Sequence, residues 1–302
     1  MIQTLLAIFA SDILPVFIIA GAGFLLARLS QVDVRTMARV IFNVLSPALV
    51  FTLMVTATLS LADFGRMALF CALVTVAAAL ASAATGRALR LDRASLIGFV
   101  LAVAFSNSGN YGLPVVMFAF GREALTHASV YFVTSSILMY TAGVFLAASG
   151  RRTLRESLVG IARVPAVWGV LAAAVVMIGG LQVPEPLMRP VSLLTDASLP
   201  MMLLVLGMQL GQAGLPEHRA PLAAAVLLSL LVTPAIAIAL ASALLAGPAF
   251  QAGVLQASMP AAIVTTIIAL EFDVAPRFVT SVVFLSTLLS PITLTGLIAW
   301  LT

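Results

Sequence analysis

A cluster of polar side chains lies in the middle of an otherwise apolar segment that runs from Ile97 to Phe120. The cluster reads Ser106-Asn-Ser-Gly-Asn-Tyr-Gly-Leu-Pro114. Its amides and hydroxyls can donate hydrogen bonds to an anion, while its glycines and proline weaken a helix. A broken helix at membrane depth is tolerated only where it lines a cavity or is buried in protein. We therefore predict that this stretch is the unwound centre of a membrane helix, and that it supplies four binding residues: Asn107, Asn110, Tyr111 and Pro114.

A second interruption of the same kind lies in the other half of the chain. Ser258-Met-Pro260 breaks the apolar run Phe250–Leu270, and the hydroxyls of Thr265 and Thr266 follow shortly after it. Interrupted spans at matching places in two halves indicate a binding site near the middle of the membrane. We therefore add Met259, Pro260, Thr265 and Thr266 to the candidate site.

The composition is that of a polytopic membrane protein. Hydrophobic residues make up 62% of the 302 positions and charged residues 9%, and the mean hydropathy is +1.19. Soluble domains carry about a quarter charged residues. The all-α architecture that we expect in the lipid bilayer has ten transmembrane helices, which are predicted at Ile13–Ala27, Ala38–Leu59, Met67–Thr85, Ser95–Phe120, His127–Ala148, Pro165–Leu181, Ser192–Gly211, Leu222–Ala246, Phe250–Leu270 and Phe278–Leu301.

The arginines predict the orientation of these spans. With the N-terminus outside, twelve of the 15 basic residues fall in cytoplasmic segments, including the polar stretch Gly150–Arg163, and three (Arg66, Arg122, Arg189) fall outside. This bias follows the positive-inside rule and predicts that both termini face away from the cytoplasm. Because the basic residues are spread over loops, they predict no nucleic-acid surface.

Two polar–proline pairs indicate an internal repeat. Asn43 stands four residues before Pro47, and Asp196 stands four before Pro200, an offset of 153 positions. The prolines of the two broken spans, Pro114 and Pro260, are 146 positions apart. We therefore predict two five-helix repeats, residues 1–150 and 151–302, the second inverted because five is odd. The amide of Asn43 is a further candidate for the site, with helix packing as the alternative.

The sequence lacks the residues that catalysis or metal binding would need. All 15 basic residues are arginine, the only cysteine is Cys71, and the two histidines, His127 and His218, lie in predicted loops or at their edge. No catalytic or metal-binding constellation falls inside the spans, so we predict neither an enzyme nor a bound cofactor. An ion exchanger moving sodium or protons is the alternative to a transporter of organic anions, although the spans around the breaks contain no acidic residue.

These features together resemble the auxin efflux carrier family, including its bacterial members. The most specific similarities are Asn107-Ser-Gly-Asn-Tyr-Gly-Leu-Pro114 and Ala257-Ser-Met-Pro260. The resemblance covers the whole chain and implies a fold shared with bile acid:sodium symporters, in which spans four and nine cross at the centre. By that resemblance spans 1, 2, 6 and 7 form a scaffold, often of a homodimer, and spans 3–5 and 8–10 form an elevator-like transport unit.

The resemblance also implies a function. It predicts a secondary transporter of small organic anions, such as auxin-like acids or dicarboxylates, in a bacterial inner membrane. Sodium and a proton are both candidates for the coupling ion, and a bile-acid-type symporter is an alternative function. Many members carry paired asparagines after the Met-Pro, where this chain has Val264, Thr265 and Thr266. Arg39, the second residue of the span Ala38–Leu59, is the only arginine within the bounds of a predicted span, and none lies near the middle of one. We therefore expect half-helix N-termini, near Leu113–Val116 and Pro260–Ile263, to hold the anion.

Overall fold

The computed structural model describes residues 2–30, 32–56, 59–148, 164–212 and 219–302. Within these residues all regular structure is helical, apart from one antiparallel bridge between Ser106 and Ala261. The stretch Gly150–Arg163, which the sequence predicts to be cytoplasmic, and His218 lie outside the described residues. The helices are α1 (Gln3–Leu29), α2 (Val34–Thr56), α3 (Leu61–Ala88), α4 (Arg93–Ala104), α5 (Ser108–Ala147), α6 (Pro165–Ile178), α7 (Glu185–Gly211), α8 (Pro221–Leu244), α9 (Gly247–Ala257), α10 (Val264–Phe272) and α11 (Pro276–Leu301).

Seven of the described helices are long and apolar enough to cross a membrane, and α4 and α6 are shorter apolar helices. The 40-residue helix α5 is kinked at Gly121, whose φ of 75° is a conformation that glycine adopts without strain. The second half of predicted span four and all of span five therefore lie in α5. The all-helical membrane architecture is confirmed, and the ten-span inverted repeat stays a prediction.

Acidic and hydroxyl side chains cap the helices at their N-termini. The carboxylate of Asp92 accepts hydrogen bonds from the backbone N–H groups of Ala94 and Ser95, both at 3.0 Å, where α4 begins. The hydroxyl of Ser95 also donates to Asp92, and this contact is the main reason that the pKa of Asp92 lies below its ordinary value. Asp33 caps α2 in the same way, through the N–H of Arg35 at 3.0 Å. These caps satisfy N–H groups that have no acceptor within the helix.

Four of the prolines in the helices follow a widened, π-helical turn. Four of the five π-helical segments in the described residues end two positions before a proline: Pro15, Pro47, Pro114 and Pro234. A proline ring clashes with the carbonyl one turn earlier and has no N–H to donate. A π-turn adds one residue at that point and is a common accommodation of such an irregularity. Proline alone therefore does not mark where this chain unwinds.

Helices α1, α2, α6 and α7 pack closely on one another. A Cβ atom at Gly207 of α7 would lie 1.7 Å from the carbonyl oxygen of Ala20 in α1, so the two backbones are in direct contact. A Cβ atom at Gly169 of α6 would similarly lie 2.6 Å from the carbonyl oxygen of Pro47 in α2. Between α2 and α7, the hydroxyl of Ser198 donates to the Leu45 carbonyl at 3.1 Å. Small residues at such contacts allow membrane helices to associate.

Candidate functional site

The two helix breaks meet each other. The backbone N–H of Asn107, between α4 and α5, donates to the Pro260 carbonyl, between α9 and α10, at 2.7 Å. The N–H of Ala262 donates back to the Phe105 carbonyl at 2.9 Å, which forms the bridge between Ser106 and Ala261. Each break thus satisfies backbone groups that the other leaves without a helical partner, as burial at membrane depth requires.

Side chains from two further positions complete this backbone crossing. The hydroxyl of Ser106 donates to the Gln256 carbonyl at 2.9 Å, at the end of α9. The N–H of Ala261 donates to the hydroxyl of Ser286 on α11 at 3.2 Å. The crossing is therefore held by the two broken segments and by α11 together.

The first break is shorter than the sequence predicts. The chain leaves α4 at Phe105 and turns at Asn107, where φ −75°, ψ 60° and a 2.8 Å hydrogen bond from Ser108 N–H to the Ser106 carbonyl form an inverse γ-turn. Residues Ser108–Gly112 are already π-helical, and Pro114 lies in the first turn of the α-helix that follows. The unwound segment is thus Phe105–Asn107, where the sequence predicts Ser106–Pro114.

Four of the predicted site residues come together at the crossing. Asn107 and Pro260 are joined through their backbones, and Met259 beside them is 1% exposed, with its side chain in the apolar core. Thr265, fully buried in the first turn of α10, donates its hydroxyl hydrogen to the Ala262 carbonyl at 2.5 Å. Its hydroxyl hydrogen is therefore already used within its own segment, and only its oxygen remains free to accept a hydrogen bond.

The other predicted residues have different surroundings. The hydroxyl of Tyr111 lies 3.0 Å from that of Ser290 on α11, and its ring packs edge-on against Phe17 of α1. Asn110 and Thr266 are half-buried, and within the described part of the chain their side chains make no hydrogen bond. Asn43 is exposed on α2, where its amide donates to the Arg39 carbonyl of its own helix at 2.8 Å. The structure thus brings Tyr111 beside the crossing but does not bring Asn43 into contact with it.

Two buried amide atoms at the crossing have no hydrogen-bond partner. One is the Nδ2 donor of Asn107, whose side chain is 6% exposed, and the other is the Oε1 acceptor of Gln256, which is fully buried. Unsatisfied buried polar groups are rare and costly in native proteins. Because Asn107 also forms the turn of the first break, its free donor is the feature of the crossing best suited to hold a ligand.

Gln256 is the functional candidate that the sequence prediction missed. Its Nε2 donates to the Ala128 carbonyl on α5 at 3.3 Å, and its Oε1 lies against Gly112, where a Cβ atom would approach to 2.0 Å. It therefore links the ends of both breaks to the second part of α5. The available signal was an amide in the apolar run Phe250–Leu270, four residues before Pro260.

The crossing carries no formal charge. Neither residues 94–121 nor residues 247–270, which contain the two breaks, include an arginine, a histidine or an acid. Helix α5 begins at Ser108, earlier than the expected start near Leu113, and α10 begins at Val264, just after the expected Pro260–Ile263; both N-termini border the crossing. Helix N-termini favour anions. Among the described residues no group of histidine, cysteine or acidic side chains could hold a metal ion.

Comparisons with known proteins identify the family. The family of proteins described as "Membrane transport protein" matches residues 8–298, nearly the whole chain. A protein of Methanothermobacter thermautotrophicus described as an uncharacterized transporter is 29% identical over 293 residues, which cover 93% of this chain and 95% of that protein. The chain therefore belongs to the membrane transport protein family, that of the auxin efflux carriers, and is a transporter and not an enzyme.

Proposed function

We propose that this protein is a secondary transporter of small organic anions, carboxylates such as auxin-like acids or dicarboxylates. The anion binds at the crossing of the two broken segments and is exposed to either side of the membrane in turn, by alternating access. The observation that carries the proposal is the buried, unpartnered amide donor of Asn107 beside two helix N-termini. An acid pair that would serve sodium or proton exchange does not occur in residues 94–121 or 247–270.

A ten-helix inverted repeat is part of the proposal. In such a repeat, equivalent positions of the two halves meet on the pseudo-two-fold axis. The hydrogen-bonded residues Leu45 and Ser198 are 153 positions apart, and so are Asn107 and Pro260 at the crossing. Asn43 and Asp196, the pair that indicates the repeat in the sequence, have the same separation. Because the same offset of 153 positions occurs at two separate contacts, it supports a pseudo-two-fold axis that passes through both contacts.

The close packing of α1, α2, α6 and α7 supports their assignment as the scaffold. Helices α3–α5 and α8–α11, which include both breaks, would then form the moving unit. We further propose that the scaffold joins two copies into a homodimer in the bacterial inner membrane. Both termini would lie on the non-cytoplasmic side.

Ligand-induced stabilisation tests the proposed function. Purified protein is heated with a panel of organic acids and with the matching amides, each with and without sodium. A ligand that binds only the folded state stabilises it by about 2.7 kcal/mol at 100 times its Kd. We expect at least one carboxylate to raise the melting temperature while its uncharged amide does not. If no carboxylate is distinguished from its amide, transport of organic anions at this site is contradicted.

Reporter fusions test the orientation. A reporter placed after Arg93 is expected to lie in the cytoplasm, and one at the C-terminus outside, because twelve of 15 arginines fall on the side that includes Arg93. Enzymatic reporters active on only one side of the membrane give the readout. A cytoplasmic C-terminus would require an odd number of spans and would remove the inverted repeat.

A further inference from the structure

The crossing contains an unpartnered acceptor as well as an unpartnered donor. The acceptor is Oε1 of Gln256, whose side chain is fully buried, and the donor is Nδ2 of Asn107. A carboxylate has only acceptor oxygens, so it can bond to the Asn107 donor but has no hydrogen to give to Gln256. A plain carboxylate would therefore leave the buried Oε1 without a partner, which native proteins avoid.

The contacts of Gln256 fix which end of its amide is the free acceptor. Its Nε2 donates to the Ala128 carbonyl on α5 at 3.3 Å. With the two ends of the amide exchanged, Oε1 would face that carbonyl oxygen, and two acceptors cannot bond to each other. The backbone carbonyl of Gln256 is also held, because it accepts the hydroxyl hydrogen of Ser106 at 2.9 Å. The oxygen of the side chain is thus presented in a fixed direction.

Gly112 brings this acceptor close to Asn107. The N–H of Gly112 donates to the Asn107 carbonyl at 2.9 Å. A Cβ atom built on Gly112 would lie 2.0 Å from Oε1 of Gln256 and 3.3 Å from the Asn107 carbonyl oxygen. Asn107 and Gln256 therefore contact the same residue, one from each broken segment, and a single small molecule can bond to both side chains.

We infer that Gln256 is a specificity-determining residue, which accepts a hydrogen bond from a hydroxyl group of the substrate while Asn107 donates to the carboxylate. The substrates are then hydroxycarboxylic acids whose hydroxyl lies on the carbon next to the carboxylate. This inference rests on the proposed function and narrows its substrates by a chemical group, whatever their size or number of carboxylates. A site that bonds to a substrate hydroxyl rejects the analogue without it far more strongly than an apolar pocket can.

The test compares acids that differ by one hydroxyl group. Hydroxymalonate is paired with malonate, and mandelate with phenylacetate, and calorimetry gives the affinity of the purified protein for each. We expect wild type to bind the hydroxylated member of at least one pair roughly 10-fold or more tightly. Gln256→Met keeps the length of the side chain but removes Oε1, so the ratio of the two affinities should fall to about one, while the acid without the hydroxyl binds as before.

Two further variants separate the acceptor from general effects on α9. Gln251→Met is the matched control, because Gln251 lies on the same helix and its amide donates to the Leu301 carbonyl at 3.1 Å, away from the crossing. It should keep the wild-type ratio. Gly112→Ala retains both amides but must displace Oε1 of Gln256, which occupies the position of the new Cβ atom. It should lower the ratio, and so it tests the acceptor even if Gln256→Met does not fold.

Equal binding of the two acids in both pairs would mean that Oε1 has another partner, such as water or a coupling ion, and the inference would be wrong while the proposed function stands. The same holds if other carboxylates bind but neither pair does. A preference for the hydroxylated acid that survives in Gln256→Met, or that Gln251→Met also removes, overturns the inference as well. If Gln256→Met weakens both members of a pair by the same factor, the residue is only structural. If wild type binds no organic acid, the proposed function itself fails.

Discussion

Replacing Gly207 with alanine is expected to cause a large loss of folded protein. The added Cβ atom would lie 1.7 Å from the carbonyl oxygen of Ala20 and 2.5 Å from its carbon, which are backbone atoms and cannot rotate away. Helices α1 and α7 would have to separate, and the contact between Gly23 and the Leu204 carbonyl on the same interface would open with them. Overpacking a well-packed contact costs about 1–3 kcal/mol and occasionally more. Because a backbone must move here, we expect the upper end.

The control for this substitution is Gly21→Ala in α1. A Cβ atom at Gly21 meets nothing within 4 Å, although Gly21 lies only two residues from the contact made by Gly23. Alanine should be neutral there or stabilising by about 0.5–1 kcal/mol, because it favours a helix over the unfolded chain. Melting temperatures and monodisperse yield in detergent give the comparison. Equal behaviour of the two variants would mean that α1 and α7 do not pack this closely.

The all-helical architecture and the approximate positions of the helices could be predicted because their cause is local. Runs of apolar residues separated by arginines, prolines and polar turns imply helices wherever they occur, and the described helices lie at the predicted spans. Gly207 and its close contact illustrate the limit. A glycine four residues before Gly211 suggests a close helix contact, but only the fold shows that the partner of Gly207 is Ala20 of α1.

The breaks could be located from the sequence but not delimited. Polar residues after Phe105 and the Met-Pro at 259–260 mark both places. The first break ends earlier than predicted because the π-helical turn Ser108–Gly112 accommodates Pro114. The sequence also does not show which polar groups form hydrogen bonds with one another. Gln256 was missed for that reason, since its importance arises from contacts with Ser106, Ala128 and Gly112, more than 120 positions away.

Tyr111 was predicted as a binding residue for the same reason that Gln256 was missed, because the sequence does not show hydrogen bonds between distant residues. Its place in the polar cluster makes it a natural ligand donor, but it is bonded to Ser290, 179 positions along the chain. Of the polar side chains predicted from the first cluster, Asn107 is the one that combines burial with an unpartnered donor. A substitution at this residue is therefore the sharpest test of the crossing.

Replacing Asn107 with alanine is expected to weaken substrate binding while leaving the ligand-free protein as stable as wild type or more stable. The Nδ2 group is buried without a partner, which costs about 1–3 kcal/mol of folding free energy, and alanine removes that cost. A hydrogen bond to a charged ligand contributes about 1.5–3 kcal/mol, so affinity for the carboxylate should fall by about 10- to 150-fold. The backbone N–H that bonds to Pro260 is retained, so the crossing should persist.

Asn43→Ala is the matched control, because it removes the same amide from an exposed position where the amide bonds only to its own helix. Calorimetric binding of the best carboxylate and melting of the ligand-free protein are measured for wild type and both variants. Asn43→Ala should bind like wild type. A purely structural role for Asn107 predicts the reverse pattern, a lower melting temperature with unchanged affinity, and that result would remove the crossing as the site. If Asn107→Ala lowers the affinity for the carboxylate without lowering the melting temperature, the Nδ2 donor acts on the bound acid and not on folding. Measuring stability and binding together therefore separates a binding role of Asn107 from a structural role.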